Sequence, residues 1–276
     1  MIHEREFDWV ASFAGVVPRD TFMDVFGIPL ADRANVNKWV QRILDGNDPY
    51  SGARRLPAAL AARALTFYMS GLLQRCPAAG GSGLACTMAS DDIPVEHRLD
   101  ATEAMKTAMH FALGGYLSTQ FLLATGMLHL LSGLTRPIDQ LRAHPELLDS
   151  AIVEMRRFDA PFQMADRFAQ QDIPSLGNVF IPRGSMVTLV YGSANRDELV
   201  FCNPDVFDIT RSAGHAEYAF GHGIHRCIGK PLVDVLAPIA FRRVIERLPG
   251  LRLAPGAPSR LSDPYFRSCA QLRLQT

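Results

Sequence analysis

The run Phe220-Gly221-His222-Gly223-Ile224-His225-Arg226-Cys227-Ile228-Gly229 decides how the rest of the chain is read. It holds one cysteine in a glycine-rich loop, directly ahead of an apolar, helix-like segment that starts near Lys230. Glycines at 221, 223 and 229 let the backbone turn sharply and come close to a bulky group. A helix N-terminus and its free N–H groups favour negative charge on sulfur, so the pattern suits a thiolate metal ligand. One Cys falls short of a closed zinc or iron–sulfur site, which takes about four protein ligands. It suffices for an iron whose other donors come from a macrocycle. Taken alone, Cys227 reads first as a buried, unreactive cysteine in a tight turn.

The 276 residues can bury a sizeable core, and the 48% hydrophobic content fits a globular protein. Formal net charge is zero, which gives no field to attract nucleic acid or an anionic membrane. The five cysteines, 76, 86, 202, 227 and 269, form an odd set with no CxxC. That argues against a disulfide framework or zinc ribbon and for a reducing compartment. The first six residues are charged and lack the apolar core of a signal peptide. The uncharged stretch from Phe111 to Leu131 approaches the length of a membrane span. Gly114, Gly115, Tyr116, Ser118, Thr119, Gln120 and His129 dilute it, so it reads as a central helix of a soluble, cytoplasmic protein with no membrane span.

Residues 6–45 read as helices, with Pro18 opening one, Gly27 closing it and Asp32 placed to cap the next. Residues 46–49 read as a loop, 58–74 as a helix, and 77–83 as a loop of small residues. Trp9 and Trp39 read as packing residues. From Asp100, with Glu103 completing a capping box, one long helix is predicted to about Gly133. Gly114 and Gly115 near its middle fit close helix packing, or a groove for a flat ligand with Ser118 and Thr119 at its edge. Pro137 and Pro145 introduce two shorter helices. The second, 150–158, sets Glu154 and Arg157 three apart, close enough to pair. After Pro161 the pattern turns to short β pieces, with a hairpin turn at 179–184 and a strand at 185–190. A helix over 231–247 is predicted to kink at Pro238, and short strands follow Leu251.

The run 220–229 resembles the haem-binding loop of the cytochrome P450 family, Phe-Gly-x-Gly-x-His-x-Cys-x-Gly, at every fixed position. The resemblance runs from about Asp8 to the end, and is looser before Asp100. It implies a mainly α fold with small β-sheets (α+β), as one domain over 1–276. Residues 1–99 would be the helical part of the distal side, and 100–276 would carry the long helix, the Glu-x-x-Arg helix, the β pieces and the Cys loop. The chain is shorter than a full member of the family. The part it is expected to lack is the N-terminal region, with early helices, most of the first sheet and a loop over the substrate.

The resemblance also assigns roles to residues. Cys227 would be the axial ligand of haem b (iron protoporphyrin IX), with Phe220 near the sulfur. Arg167 and His225 would bond haem propionates. Glu154 and Arg157 would lock onto Arg211, in Phe207-Asp208-Ile209-Thr210-Arg211. Gly114 and Gly115 match the glycines of the family's oxygen-binding helix, and Ser118 and Thr119 its catalytic hydroxyls. Leu117 falls where the family usually has Asp or Glu, which puts proton delivery in question. The implied activity is a haem-thiolate monooxygenase, inserting one oxygen atom of O2 into an apolar small molecule. Electrons would come from a ferredoxin or flavin reductase. Two alternatives stand beside it: a truncated, non-catalytic remnant of the fold, and a peroxide-dependent haem-thiolate enzyme.

Overall fold

The computed structural model describes residues 6–46, 55–79, 82–133, 136–212, 217–261 and 263–276. In chain order the main elements are β1 (Glu6–Asp8), α1 (Val17–Phe26), α2 (Arg33–Asp45), α3 (Arg55–Ala79), α4 (Leu84–Met88), α5 (Ala101–Gly114), α6 (Leu117–Leu131), α7 (Pro137–Ala143) and α8 (Leu148–Phe158). Then follow β2 (Ala165–Phe168), β3 (Ile173–Leu176), β4 (Val179–Ile181), β5 (Met186–Leu189), α9 (Tyr191–Ala194), α10 (Lys230–Arg247), β6 (Arg252–Leu253), β7 (Ser259–Arg260), β8 (Cys269–Gln271) and β9 (Arg273–Gln275). The described residues are thus mainly helical with small antiparallel sheets. They fall into two compact units, one of residues 1–14 with 121–276, the other of residues 15–120.

In the unit of 15–120, Pro18 sits in the first turn of α1, and Gly27 ends it at φ 88°, a left-handed conformation that suits glycine. α2 packs on α3, with Val36, Val40, Leu65 and Met69 buried. Asp32 stands at the N-cap of α2 but does not cap it. Its carboxylate accepts a hydrogen bond from Tyr68 Oη at 3.0 Å instead. α3 runs on through Pro77 to Ala79, where a loop was expected; residues 80 and 81, like the expected loop at 47–49, lie outside the described residues. The cysteine reading is corrected here. Cys76, near the end of α3, and Cys86, in α4, form a disulfide.

The capping box at Asp100 is present in full. Asp100 Oδ1 accepts from the Thr102 and Glu103 amides, and Glu103 Oε2 accepts from the Asp100 amide. The single long helix expected from there is instead two, α5 and α6, with a turn at Gly115-Tyr116. Gly115 is at the point of closest packing. A Cβ there would lie 2.3 Å from the Phe22 ring and 2.5 Å from the Phe111 carbonyl. Gly114 faces open space. Arg55–Cys76 and Ala101–Leu131 are each long and apolar enough to cross a bilayer; the second is mostly buried within the protein.

In the other unit, residues 6–8, expected as helix, form the strand β1. It pairs with β9, Phe7 opposite Leu274, and β9 pairs in turn with β6. Trp9 is fully buried and donates from Nε1 to the Leu123 carbonyl at 3.0 Å, a packing role as expected. Glycine again sets an approach at Gly126, where a Cβ would meet Met155 Sδ at 2.6 Å and Phe241 Cζ at 2.9 Å. That contact draws α6 onto α8 and α10. β2 pairs with β5, and β3 with β4 through the Gly177-Asn178 turn. Pro238 lies inside α10, which is assigned continuously from Lys230 to Arg247.

Candidate functional site

The cysteine loop lies between two anchored ends. Its incoming end is held by the Tyr218 amide, which donates to Asn195 Oδ1 at 2.7 Å, with Asn195 fully buried. Its outgoing end runs into α10, with Gly229 at the N-cap. Between them, Gly221 and Gly223 take φ 65° and 68°, left-handed values that carry a steric cost for other residues. These turns bring the Cys227 amide back to the Phe220 carbonyl at 2.8 Å. The thiol is free and exposed, and a Cβ on Gly229 would lie 3.6 Å from its sulfur.

The loop also exposes apolar side chains. Ile224 is 98% exposed and Ile228 is 72% exposed, beside the free thiol in sequence. Large aliphatic side chains left in water next to an exposed sulfur suit a flat, greasy ligand that would cover them. One free cysteine sulfur just ahead of a helix, with exposed aliphatic side chains near it in sequence, fits haem, whose other donors come from the macrocycle. His225 lies exposed in the short helical turn 223–225. Arg167 lies on β2 opposite Val187, and its Nη1 donates to the Asp166 carbonyl.

Behind the loop is a buried ion network built from α8. Glu154 is 1% exposed. Its carboxylate receives Arg157 Nε at 2.7 Å and Arg157 Nη2 at 2.8 Å, a bidentate pair. It also receives Arg211 Nε at 3.1 Å and the Asp208 amide at 2.9 Å. Arg157 Nη1 donates on to the carbonyls of Asn195 and Pro204. Arg211 donates to the carbonyls of Cys202, Asn203 and Val206. The three charged residues therefore fasten the whole 195–211 segment to α8. The Glu-x-x-Arg spacing and Arg211 thus come together in space.

A second buried carboxylate, Asp159, was not singled out in the sequence. It ends α8 and meets His129 Nε2 at 2.9 Å, Arg267 Nε at 2.7 Å and Arg260 Nη1 at 3.7 Å. Burial pushes its carboxyl up, but the His129 hydrogen bond and the charges of His129, Arg267 and Arg260 outweigh it and hold it below the ordinary range. Arg156, next to Arg157, is also buried and was missed. No composition or spacing signal marked either group, since their partners lie far away in sequence. Ser118 and Thr119 fall in the first turn of α6, with Thr119 buried. Leu117, which lacks any proton-carrying group, is buried beside them in sequence.

A cytochrome P450 family model matches residues 127–249. The biotin-biosynthesis cytochrome P450 of Bacillus subtilis is 30% identical over 91% of this chain and 62% of its own length. Cytochrome P450 monooxygenase PikC of Streptomyces venezuelae is 33% identical over 97% of this chain and 63% of its own. The crystal structure of P450BioI with a fatty-acyl-loaded acyl carrier protein superposes with a TM-score of 0.90 at 28% identity, covering 99% of this chain and 69% of that one. Over residues 127–249 the chain matches the cytochrome P450 family, and the relatives and solved structures it is similar to are bacterial cytochrome P450s. It spans about three fifths of the length of the curated relatives it matches.

Proposed function

We propose that this chain is a haem-thiolate monooxygenase in which Cys227 is the axial ligand of haem b. The observation that carries the reading is the free, exposed Cys227 thiol at the head of α10, in a loop whose backbone bonds hold the residue in place. Bound haem would supply the activation of O2 and the oxidation of a substrate C–H bond, with two electrons and two protons yielding an alcohol and water.

The chain's own residues do the holding and the steering. The start of α10, with Gly229 at its N-cap, places Cys227 just ahead of the helix. Arg167 and His225 are proposed to donate hydrogen bonds to the two carboxylates of the cofactor. Glu154, Arg157 and Arg211 fix the chain segment that leads into the loop. The hydroxyls Ser118 Oγ and Thr119 Oγ1 are proposed to pass protons, with Gly114 and Gly115 as the backbone beside the oxygen. The substrate is proposed to be an apolar small molecule, and the electron donor a ferredoxin or flavin reductase. Cytoplasmic placement is proposed with these, against one feature: the Cys76–Cys86 disulfide is disfavoured in a reducing compartment.

The test is the absorption spectrum of the haem-loaded, reduced, carbon monoxide-bound protein, taken beside Cys227→Ser. The far-red Soret band of a thiolate complex in the parent and its loss in Cys227→Ser is the expected result. The same spectrum in both proteins removes Cys227 as ligand. Leu117 favours a second reading, in which turnover is driven by peroxide and needs no acid in that helix. Product formed with peroxide and none with a reductase system would select it.

A further inference from the structure

We propose that Arg156 is a positioning residue for the Cys227 loop, acting through Glu217, Asp234 and the Phe220 ring. The inference rests on Cys227 being the ligand, and no part of the Glu-x-x-Arg pairing supplies it. Arg156 projects from α8 and is 7% exposed, an unusual place for a charge without partners. Its partners come from both ends of the loop. Nε lies 2.8 Å from Glu217 Oε1, ahead of the loop, and Nη1 lies 3.0 Å from Asp234 Oδ1, on α10 beyond it. The Nε contact is off the N–H axis, so it is an ion pair and not a hydrogen bond. Asp234 Oδ2 in turn takes Lys230 Nζ.

Both cations face one ring. The Arg156 guanidinium carbon lies 5.0 Å from the Phe220 centroid, and Lys230 Nζ lies 5.5 Å from it. Each is within cation–π range. The Phe220 carbonyl is the acceptor for the Cys227 amide. Fixing the ring therefore fixes the peptide that the cysteine hangs from. The charge chain Glu217–Arg156–Asp234–Lys230 closes a clamp with the loop's first residue inside it. An aliphatic side chain at 156 could fill the space. It would leave the Glu217 carboxylate, only 13% exposed, without its cation, and release Phe220 from one side.

The test separates positioning from mere charge balance. Arg156→Met removes the clamp but strands Glu217, so it is paired with Arg156→Met/Glu217→Gln, which removes the stranded charge as well. Hydrogen exchange is measured on the haem-free chain at the Cys227 amide, read from peptides spanning 221–229. If Arg156 positions the loop, exchange rises on the order of tenfold in both variants, the loss of about one hydrogen bond's worth of protection. In the haem-loaded proteins, the reduced carbon monoxide complex of both variants then shows a smaller share of the far-red band than the parent under the same conditions. If the double variant instead regains parental exchange and spectrum, Arg156 serves only to neutralise Glu217, and the proposal is wrong. If the parent spectrum survives Cys227→Ser, the ligand assignment fails first; the exchange data on the haem-free chain still decide the clamp.

Discussion

Replacing Glu154 by Gln keeps the side-chain volume and removes one charge from the centre of the α8 network. Four hydrogen bonds converge on the carboxylate, three from guanidinium groups and one from the Asp208 amide. A Gln carbonyl that keeps Arg157 Nη2 and the Asp208 amide must turn its NH2 toward Arg157 Nε and Arg211 Nε. Two donors then face two donors, and the Arg157 charge, 2% exposed, loses its anion. Charge-assisted hydrogen bonds are worth about 1.5–3 kcal/mol each, and breaking a buried pair costs about 3–5 kcal/mol, so the two routes agree. Unfolding entropy of about 2.1 cal/mol/K per residue over a chain of this size makes that a Tm drop of roughly 5–9 °C. Calorimetry on the purified chain reads it directly. Arg211→Met should fall by less, because Arg211 is partly exposed and gives Glu154 one bond where Arg157 gives two. A Glu154→Gln shift under about 2 °C, on the scale set by the same entropy, would refute the account of this network. So would a larger loss in Arg211→Met than in Glu154→Gln.

Three further outcomes are expected. Asp159 has a depressed folded carboxyl, so its contribution is fully present above the unfolded value, about 3.9, and is lost as pH falls through the lower folded one. Asp159→Asn should flatten the acid limb of a Tm-versus-pH curve; an unchanged limb would show that the arginines around it give no net stabilisation. Thiol titration of the unfolded, unreduced chain should count three groups, Cys202, Cys227 and Cys269, and all five after reduction. In the native chain Cys269 should react last, because burial pushes its thiol up. Five thiols without reductant would mean Cys76 and Cys86 are not joined. Finally, Gly115→Ala overpacks Phe22 and should cost about 1–3 kcal/mol, while Gly114→Ala meets nothing within 4 Å and should not. Equal losses in denaturant titrations would contradict the packing described at Gly115.

The cysteine loop was legible because its chemistry is local. Turn glycines, the thiol and the helix start all lie within ten residues, so no long-range contact has to be guessed. The capping box at Asp100 was legible for the same reason. What failed depends on distant partners. β1 is a three-residue strand whose partner is β9 at the other end of the chain, and three residues are too few to display a strand period. Asp32 had the right type and place for a cap, but Tyr68 competes for its carboxylate. Gly114-Gly115 read as close packing, or a groove, within one long helix; the structure has a turn there, with Phe22 packed against Gly115 and open space at Gly114. The disulfide was hidden because α3 runs on past residue 74, where the expected helix ended, and brings Cys76 to Cys86 in α4.

Arg156 and Arg157 show what the Glu-x-x-Arg spacing names and what it leaves out. Successive helix positions point about 100° apart, so two adjacent arginines on an amphipathic helix predict one buried and one solvated. Both are buried on α8 because carboxylates meet the helix on two sides. Glu154 and Arg157 turn toward the 195–211 segment, while Arg156 turns toward Glu217, Phe220 and α10. The first set holds the chain on its way to the loop, and the second holds the loop itself. A buried charge is tolerated only where a partner waits for it, so the second arginine is evidence of a second set of partners. On that argument α8 is the element that aligns Cys227, with one arginine for each end of the path that leads to it.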